Sequence, residues 1–518
     1  MLWARRISQG LFLAVFLLLF IQTEQKGADE LGWPVKVFLE FDPLHLISSL
    51  LAGHAVAKGM LLGLALLLLT ALLGRVFCGW ICPLGTLHNL VGALRKAPDP
   101  QRGPAWFRMK YLILVILLGG ALGGMNLAGI LDPLSLLIRS MSLGIYPAFN
   151  AAVNGLMDLA AGTQARVLVA PSEAVYGLLK KSVLAFQQPH FLQGTLLSLL
   201  FLGLLLINLK ERRFWCRYLC PLGALLGIAG RWAFLKREVA EGCTGCGICD
   251  RECQGLGITK GRDWKASECF YCWNCDDPCP KSQVSFGFSA RPAPGDLDLG
   301  RRRVLLAGAA GLAGAAASKA APHALAERVD PLLIRPPGSR PEADFLARCV
   351  KCGECMKVCT TNGLQPLDLR AGLEGLWTPV LVPRIGYCEY RCTLCGQVCP
   401  TGAIERLPVE RKVAVKIGLA QVDRSRCLPW AFNTPCIVCE EVCPIPEKAV
   451  YYDLVQGKDR NGNPVELKQP RVDTEKCTGC AICETKCPVV DRPAIFVTSI
   501  TESRSRKNQL ILGSGYGG

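Results

Sequence analysis

Hydrophobic positions are gathered into four long blocks before Lys210, roughly Ile7 to Thr23, Gly59 to Phe77, Tyr111 to Leu131 and Phe191 to Leu209. Crossing a hydrocarbon layer takes about 20 apolar residues, so the last three predict comfortable spans and the first a short one. Arg5 and Arg6 precede the first block as they would in a signal peptide, but no small-x-small cleavage site follows in Gln22 to Lys26, which favours an anchor. A fifth, weakly apolar Ala/Gly-rich run follows Arg303. The remaining chain is polar, rich in Pro and Gly, and dense in cysteine. Membrane and cofactor segments are therefore expected to alternate.

The apolar blocks form a repeat. Phe41-Asp42-Pro43-Leu44 follows the first block and Leu131-Asp132-Pro133-Leu134 the third. The second runs into Cys78-Gly79-Trp80-Ile81-Cys82-Pro83-Leu84-Gly85, the fourth into Cys216-Arg217-Tyr218-Leu219-Cys220-Pro221-Leu222-Gly223. If Asp-Pro opens a helix, Asp is the N-cap and Pro the first helical residue, which explains both motifs structurally. Asp42 or Asp132 as a proton acceptor near a quinol is the functional reading. In each Cys-x3-Cys pair the sulfurs lie one helical turn apart, and the following proline ends or redirects the helix. Two pairs related by the repeat would bring Cys78, Cys82, Cys216 and Cys220 together as a further redox or metal site; thiol–disulfide relay within each pair, or plain buried cysteines, are the other readings.

Composition sharpens this picture. Hydrophobic residues make up 51% of 518, and the mean hydropathy is +0.29, high for a soluble protein. A net charge of +16 would suit nucleic acid, but much of the surplus flanks the apolar blocks. Arg5 and Arg6, then Arg95, Lys96, Arg102, Arg108 and Lys110, then Lys210, Arg212, Arg213 and Arg217 mark the same ends, which the positive-inside rule places in the cytoplasm. The lipid bilayer is the expected partner, and no nucleic acid is.

The 28 cysteines divide without remainder into six sets of four plus the two Cys-x3-Cys pairs. Disulfide frameworks have irregular spacing and zinc sites usually show two separated Cys-x2-Cys pairs. Here Cys243, Cys246, Cys249 and Cys253 have the x2, x2, x3 spacing that wraps a four-iron cluster, and Cys269, Cys272, Cys275 and Cys279 repeat it before Pro280. Four more sets follow: Cys349, Cys352, Cys355, Cys359; Cys388, Cys392, Cys395, Cys399; Cys427, Cys436, Cys439, Cys443; and Cys477, Cys480, Cys483, Cys487. These 24 cysteines are the expected ligands of six [4Fe-4S] clusters. In the last four sets the order of regular and displaced first cysteines suits a nested exchange of ligands, first set with fourth and second with third; sequential exchange fits almost as well.

Between the two cysteine-rich segments, Arg301-Arg302-Arg303-Val304-Leu305-Leu306 opens the Ala/Gly run, with Ala-x-Ala choices around Ala320 to Ala326. It reads as a twin-arginine signal at an internal position, against a fifth span or a flexible linker. Clusters are built in the cytoplasm and do not survive threading as an unfolded chain, so a domain carrying four of them needs a route for folded cargo.

The paired runs from Cys243 to Cys279 resemble a two-cluster bacterial ferredoxin, in which one cluster takes Cys243, Cys246, Cys249 and Cys279 and the other Cys269, Cys272, Cys275 and Cys253. More widely, residues 1 to about 290 resemble the NapH type of membrane ferredoxin protein, and residues about 300 to 518 resemble NapG of the MauM/NapG family. The chain thus looks like a NapH–NapG fusion. The resemblance implies a multi-domain protein: an α-helical membrane bundle (four spans in two repeats) plus α+β ferredoxin-like iron–sulfur domains. Its expected parts are 1–235, a membrane domain; 236–290, a cytoplasmic two-cluster domain; 291–326, a linker and internal twin-arginine helix; and 327–518, a periplasmic four-cluster domain. It also implies a quinol dehydrogenase of the bacterial inner membrane, drawing on the quinol pool and feeding a periplasmic reductase, usually nitrate reductase, or a cytochrome c acceptor. Outward electron flow would gain about 2.3 kcal/mol per 100 mV from an inside-negative membrane. The alternatives are an assembly or redox-maintenance factor for a metalloenzyme, and an anchor that docks a reductase.

One gap remains in this expectation. No Cys-x2-Cys-His haem motif is present, and His45, His54, His88, His190 and His323 form no obvious facing ligand pair across the hydrocarbon. His45, His54 and His190 are placed to touch a quinol on the periplasmic side, although a lone interfacial histidine is more often structural.

Overall fold

The computed structural model describes residues 1–24, 30–94, 105–162, 166–259, 262–289, 300–320, 330–459, 461–505 and 508–509. Arg95, Lys96, Arg102, His323 and the Ala-x-Ala choices beyond Ala320 lie outside the described residues.

All four apolar blocks are helical: α1 (Leu2–Gln22), α3 (Leu62–Leu73), α5 (Ala105–Leu122) and α8 (Gly194–Leu206). Only α1 among them meets both length and composition for a crossing; the second helix to do so is the continuous run Pro133–Gly162, built of α6 (Pro133–Ser140), a π-helical turn and α7 (Tyr146–Gly162), which no apolar block marked. The helices α3 and α8 are 12 and 13 residues long, about 18–20 Å at 1.5 Å per residue. They are short because glycine stops α3 at the left-handed Gly74 (φ 79°), and a 3-10 turn at Ile207–Leu209 tightens the end of α8. A four-span count is therefore not carried by helix length.

The motifs between the blocks open further helices: α2 (Pro43–Gly53), α4 (Pro83–Ala93), α6 and α9 (Pro221–Ala229), each with proline in its first turn. Asp42 caps α2 by accepting from Leu44 N, and Asp132 caps α6 by accepting from Leu134 N and Ser135 N. Cys82 and Cys220 occupy the same position before α4 and α9, their sulfurs accepting from Gly85 N at 3.4 Å and Gly223 N at 3.1 Å. Proline thus redirects the chain after each cysteine pair, as its geometry requires. The leucine after each proline, Leu44, Leu84, Leu134 and Leu222, is buried in one shared core. Leucines on the outside of α1, α3 and α8, such as Leu11, Leu68 and Leu199, are exposed.

Two small-sheet domains are attached. One is closed by an antiparallel pair, β1 (Leu235–Val239) with β2 (Val284–Phe288). The other holds three antiparallel pairs: β3 (Leu364–Pro366) with β4 (Pro379–Leu381), β5 (Leu419–Val422) with β8 (Ile495–Thr498), and the hairpin β6 (Val450–Lys458) with β7 (Pro464–Val472). Arg335, Glu342 and Arg504 tie its first and last described segments together, with Arg335 Nη2 and Arg504 Nη1 each 2.6 Å from the Glu342 carboxylate. Against the desolvation of burial, those two guanidiniums hold the Glu342 carboxyl down at about 2.

Between the two domains runs α10 (Arg301–Ala320), which begins in the arginine triplet and packs parallel to α5. Small residues permit the contact. A Cβ on Gly311 would stand 2.2 Å from the Ile116 carbonyl oxygen and one on Gly119 2.7 Å from that of Gly308. We expect Gly311→Leu to force these helices apart and to lower stability in detergent by about 1–3 kcal/mol. Gly308→Ala, whose added Cβ meets nothing nearer than Val115 Cγ1 at 3.8 Å, should leave the denaturation midpoint unchanged.

Candidate electron-transfer centres

In the larger sheet domain the cysteine sets exchange ligands sequentially, not in the nested order. Cys349, Cys352 and Cys355 gather with Cys399. Cys388, Cys392 and Cys395 surround Cys359, and these four line one cavity. Cys427, Cys436 and Cys439 line a second cavity with Cys487, and Cys477, Cys480 and Cys483 gather near Cys443. Spacing was silent on this because the exchange depends on how the short loops after β4 and β7 return, not on their cysteines.

The four sets form a line whose order differs from that in the sequence. Cys355 neighbours Cys395, joining the first set to the second. Cys388 N donates to Cys480 O at 2.9 Å, joining the second to the set of Cys443, and Cys483 neighbours Cys439 at the far end.

In the smaller domain Cys253, Cys269, Cys272 and Cys275 line one cavity, the expected exchange. Cys249 and Cys279 pack against the same core, and Cys246 is exposed.

The donor sets fit [4Fe-4S] clusters. Burial, reinforced by neighbouring Cys388 and Cys359, pushes the Cys392 thiol up to about 11, and burial with Cys427 and Cys436 pushes Cys439 up to about 12. Converging thiols that resist ionisation alone are stabilised as thiolates by a cationic iron core.

Both domains dock onto the helical unit through close backbone approaches. At one end Gly79 meets the smaller domain, where a Cβ would lie 2.2 Å from Phe270 O. Trp80 Nε1 donates to Tyr271 O at 2.8 Å, Arg75 Nη1 to Ser267 O at 2.8 Å, and Tyr111 Oη to Glu268 Oε1 at 2.7 Å. At the other end a Cβ on Gly129 would lie 1.9 Å from Val350 O, inside the first cysteine loop of the larger domain. Arg139 Nη1 donates to Lys351 O at 2.9 Å, and Lys357 Nζ to Phe20 O at 2.8 Å and Thr23 O at 2.6 Å. The helix α1 measures the separation. Arg5 lies in electrostatic reach of Cys272 of the smaller domain, and Phe20, fifteen residues on, meets the larger; that is about 22 Å of helix.

The repeat brings its paired motifs together at both ends. Cys78, Cys82, Cys216 and Cys220 belong to one apolar cluster with Cys272 and Cys352, and Arg213 Nη1 donates to Cys78 O at 2.8 Å. Level with them on α1, Gln9 Nε2 donates to Gly79 O at 2.7 Å. Toward the other end Asp42 and Asp132, besides capping their helices, lie within ligand reach of one another and of His45. His45 Nε2 stands 3.2 Å from Asp132 Oδ2 and 2.8 Å from Ser135 Oγ, all buried. The meeting of both aspartates with His45 was not legible from the repeat alone.

The other histidines have structural places. His54 is the left-handed cap of α2 (φ 48°), His190 offers its carbonyl to Gln365 Nε2 at 3.0 Å, and His88 is buried against Asn208.

Residues 58–100 and 193–239, which hold one Cys-x3-Cys-Pro motif each, match the profile of a 4Fe-4S binding domain. The methylamine utilization ferredoxin-type protein MauM of Methylorubrum extorquens is 37% identical over 176 residues, 33% of this chain and 75% of MauM. The ferredoxin-type protein NapG of Escherichia coli is 35% identical over 176 residues, 34% of this chain and 74% of NapG. Escherichia coli YccM is 27% identical over 277 residues, 51% of this chain and 64% of YccM. No solved structure matches. With its thiol sets arranged for iron–sulfur clusters, this chain is an iron–sulfur electron-transfer protein that belongs to the MauM/NapG family of ferredoxin-type proteins.

Proposed function

We propose that this chain is a membrane-bound quinol dehydrogenase, a NapH-like half fused to a NapG-like half. It would take electrons from the quinol pool and pass them through six [4Fe-4S] clusters to a periplasmic reductase, of the nitrate reductase type, or to a cytochrome c. The observation that carries this reading is that thiol sets converge at both ends of the helical unit, Cys253, Cys269, Cys272 and Cys275 with Cys78, Cys82, Cys216 and Cys220 at one end and Cys349, Cys352, Cys355 and Cys399 at the docked face of the larger domain at the other.

A [4Fe-4S] cluster takes and gives single electrons. The chain's own residues hold the line together. Gly79 and Gly129 let the two domains approach the helical unit at backbone distance, and Arg139, in electrostatic reach of Cys349 and Cys352, lies also beside Asp132. Cys78, Cys82, Cys216 and Cys220, at the end of the unit nearer the smaller domain, supply the next step from it as a further redox or metal site. In this reading the exposed leucines of α1, α3 and α8 face lipid, and the basic ends of the helices face the cytoplasm with domain 236–290. The twin-arginine segment stays uncleaved as α10, holding the larger domain in the periplasm. Its parallel course along α5 is what that topology requires, since both helices begin at a basic end.

Two measurements test this. Anaerobic protein in detergent should hold about 24 iron atoms, and a menaquinol analogue should produce the EPR signals of reduced clusters; clusters that dithionite reduces and quinol leaves untouched would favour a maturation factor instead. For the ligand exchange, Cys399→Ser and Cys352→Ser should each lose about four irons, and the double variant no more than either alone. Cys399→Ser with Cys392→Ser should lose about eight, because these belong to different centres. The opposite pattern would contradict the sequential exchange.

A further inference from the structure

A large cavity, with a volume of about 980 Å³, lies at the end of the helical unit that carries the Cys-Pro motifs, between α1, α4 and the smaller domain. Six residues on its wall bear buried polar atoms without a hydrogen-bond partner: Arg5 (Nε and Nη1), His88 (Nε2), Asn89 (Nδ2), Arg213 (Nη2), Gln254 (Oε1) and Asn274 (Oδ1). Arg5, His88 and Arg213 are each no more than 5% exposed. Leaving such atoms without partners costs about 1–3 kcal/mol each, so their concentration on one wall marks a surface shaped for a polar ligand. The rest of the wall is apolar, with Leu2, Leu13 and Leu90.

The donor set selects among ligands. Arg5, Asn89 and Arg213 donate, and so does His88 Nε2, because His88 Nδ1 accepts from Asn208 Nδ2; Gln254 and Asn274 accept. An anionic phosphate would use the donors alone and would face the carboxylates of Glu252 and Asp277 on the same wall. A neutral ring carrying an oxygen at each side, accepting as quinone and donating as quinol, uses both kinds of group, and its isoprenoid tail suits the leucines. Electron transfer is also short-range, since Arg5 on the wall lies in electrostatic reach of Cys272.

We infer that this cavity is the quinol oxidation site, an inference that rests on the quinol dehydrogenase reading above. Quinol bound here would give up two electrons, one at a time, to the cluster that Cys253, Cys269, Cys272 and Cys275 would hold. The two O–H bonds break, and the two protons leave to water at the open mouth of the cavity. Electrons thus begin at the smaller domain, which gives its clusters a place in the path. The alternative cavity, about 320 Å³ beside Cys359, is less suited, because among the described residues of its wall only Ser142 Oγ is buried without a partner. There Tyr146 Oη donates to Val183 O at 2.8 Å and to Glu24, and Lys357 Nζ is spent on the carbonyls of Phe20 and Thr23.

Filling the cavity tests the inference without breaking a contact. A Cβ on Gly10 or on Gly92, both on its wall, would meet nothing within 4 Å. In the full chain in detergent, Gly10→Phe and Gly92→Phe should slow cluster reduction by menaquinol-4 about tenfold or more and weaken menaquinone-4 binding equally. Iron content and reduction by dithionite should stay as in the wild type. Gln187→Trp, on the wall of the smaller cavity, should leave the quinol rate unchanged. Wild-type rates in both glycine variants would overturn the assignment of this cavity while the dehydrogenase reading stands. A wild-type protein that menaquinol-4 does not reduce would overturn both.

Discussion

Four helices that begin inside an apolar unit govern this molecule. A helix start leaves backbone N–H groups without partners, and in an apolar setting they must be satisfied locally. Asp42 and Asp132 do so with carboxylates, Cys82 and Cys220 with sulfurs, and proline in each first turn removes one donor. An N-cap contributes about 1 kcal/mol, more than enough to fix where each helix begins. Because the four following leucines share one core, the starts converge. Convergence is what places four cysteines together at one end and two aspartates with His45 at the other.

The docking of both domains follows from that arrangement. Short helices and inward starts keep the unit thin along α1, so domains attached at its two ends approach to about 22 Å of helix. Glycine at positions 79 and 129 lets main chain meet main chain. A side chain at either position would hold a cysteine loop away from the unit and lengthen the path an electron must cross. Within the larger domain the sequential exchange produces two ferredoxin-like pairs, and the Cys388–Cys480 backbone hydrogen bond joins them into one line.

Much of this was written locally in the chain. The cysteine sets are legible because cluster ligation fixes their spacing, and the helix starts because Asp-Pro and Cys-Pro carry their own capping chemistry. The exchange between Cys253 and the Cys269 run was foreseeable from the resemblance of the paired runs to a two-cluster ferredoxin. What could not be read depends on contacts between distant segments. Nested and sequential exchange differ only in how loops fold back, so Cys399 joining Cys349 was open. The crossing-length run Pro133–Gly162 was hidden because its buried face carries Ser135, Arg139 and Ser142, which break the apolar block. The cavity walled by Arg5, His88 and Asn274 draws on three separated segments, and each residue alone looks ordinary.

The central claim is that Cys78, Cys82, Cys216 and Cys220 connect the two domains. The most direct measurement is freeze-quench EPR of the Cys82→Ser/Cys220→Ser variant mixed with menaquinol. The account predicts that the iron–sulfur signals of one domain appear at the wild-type rate while those of the other stay absent. Signals from both domains at the wild-type rate would contradict it.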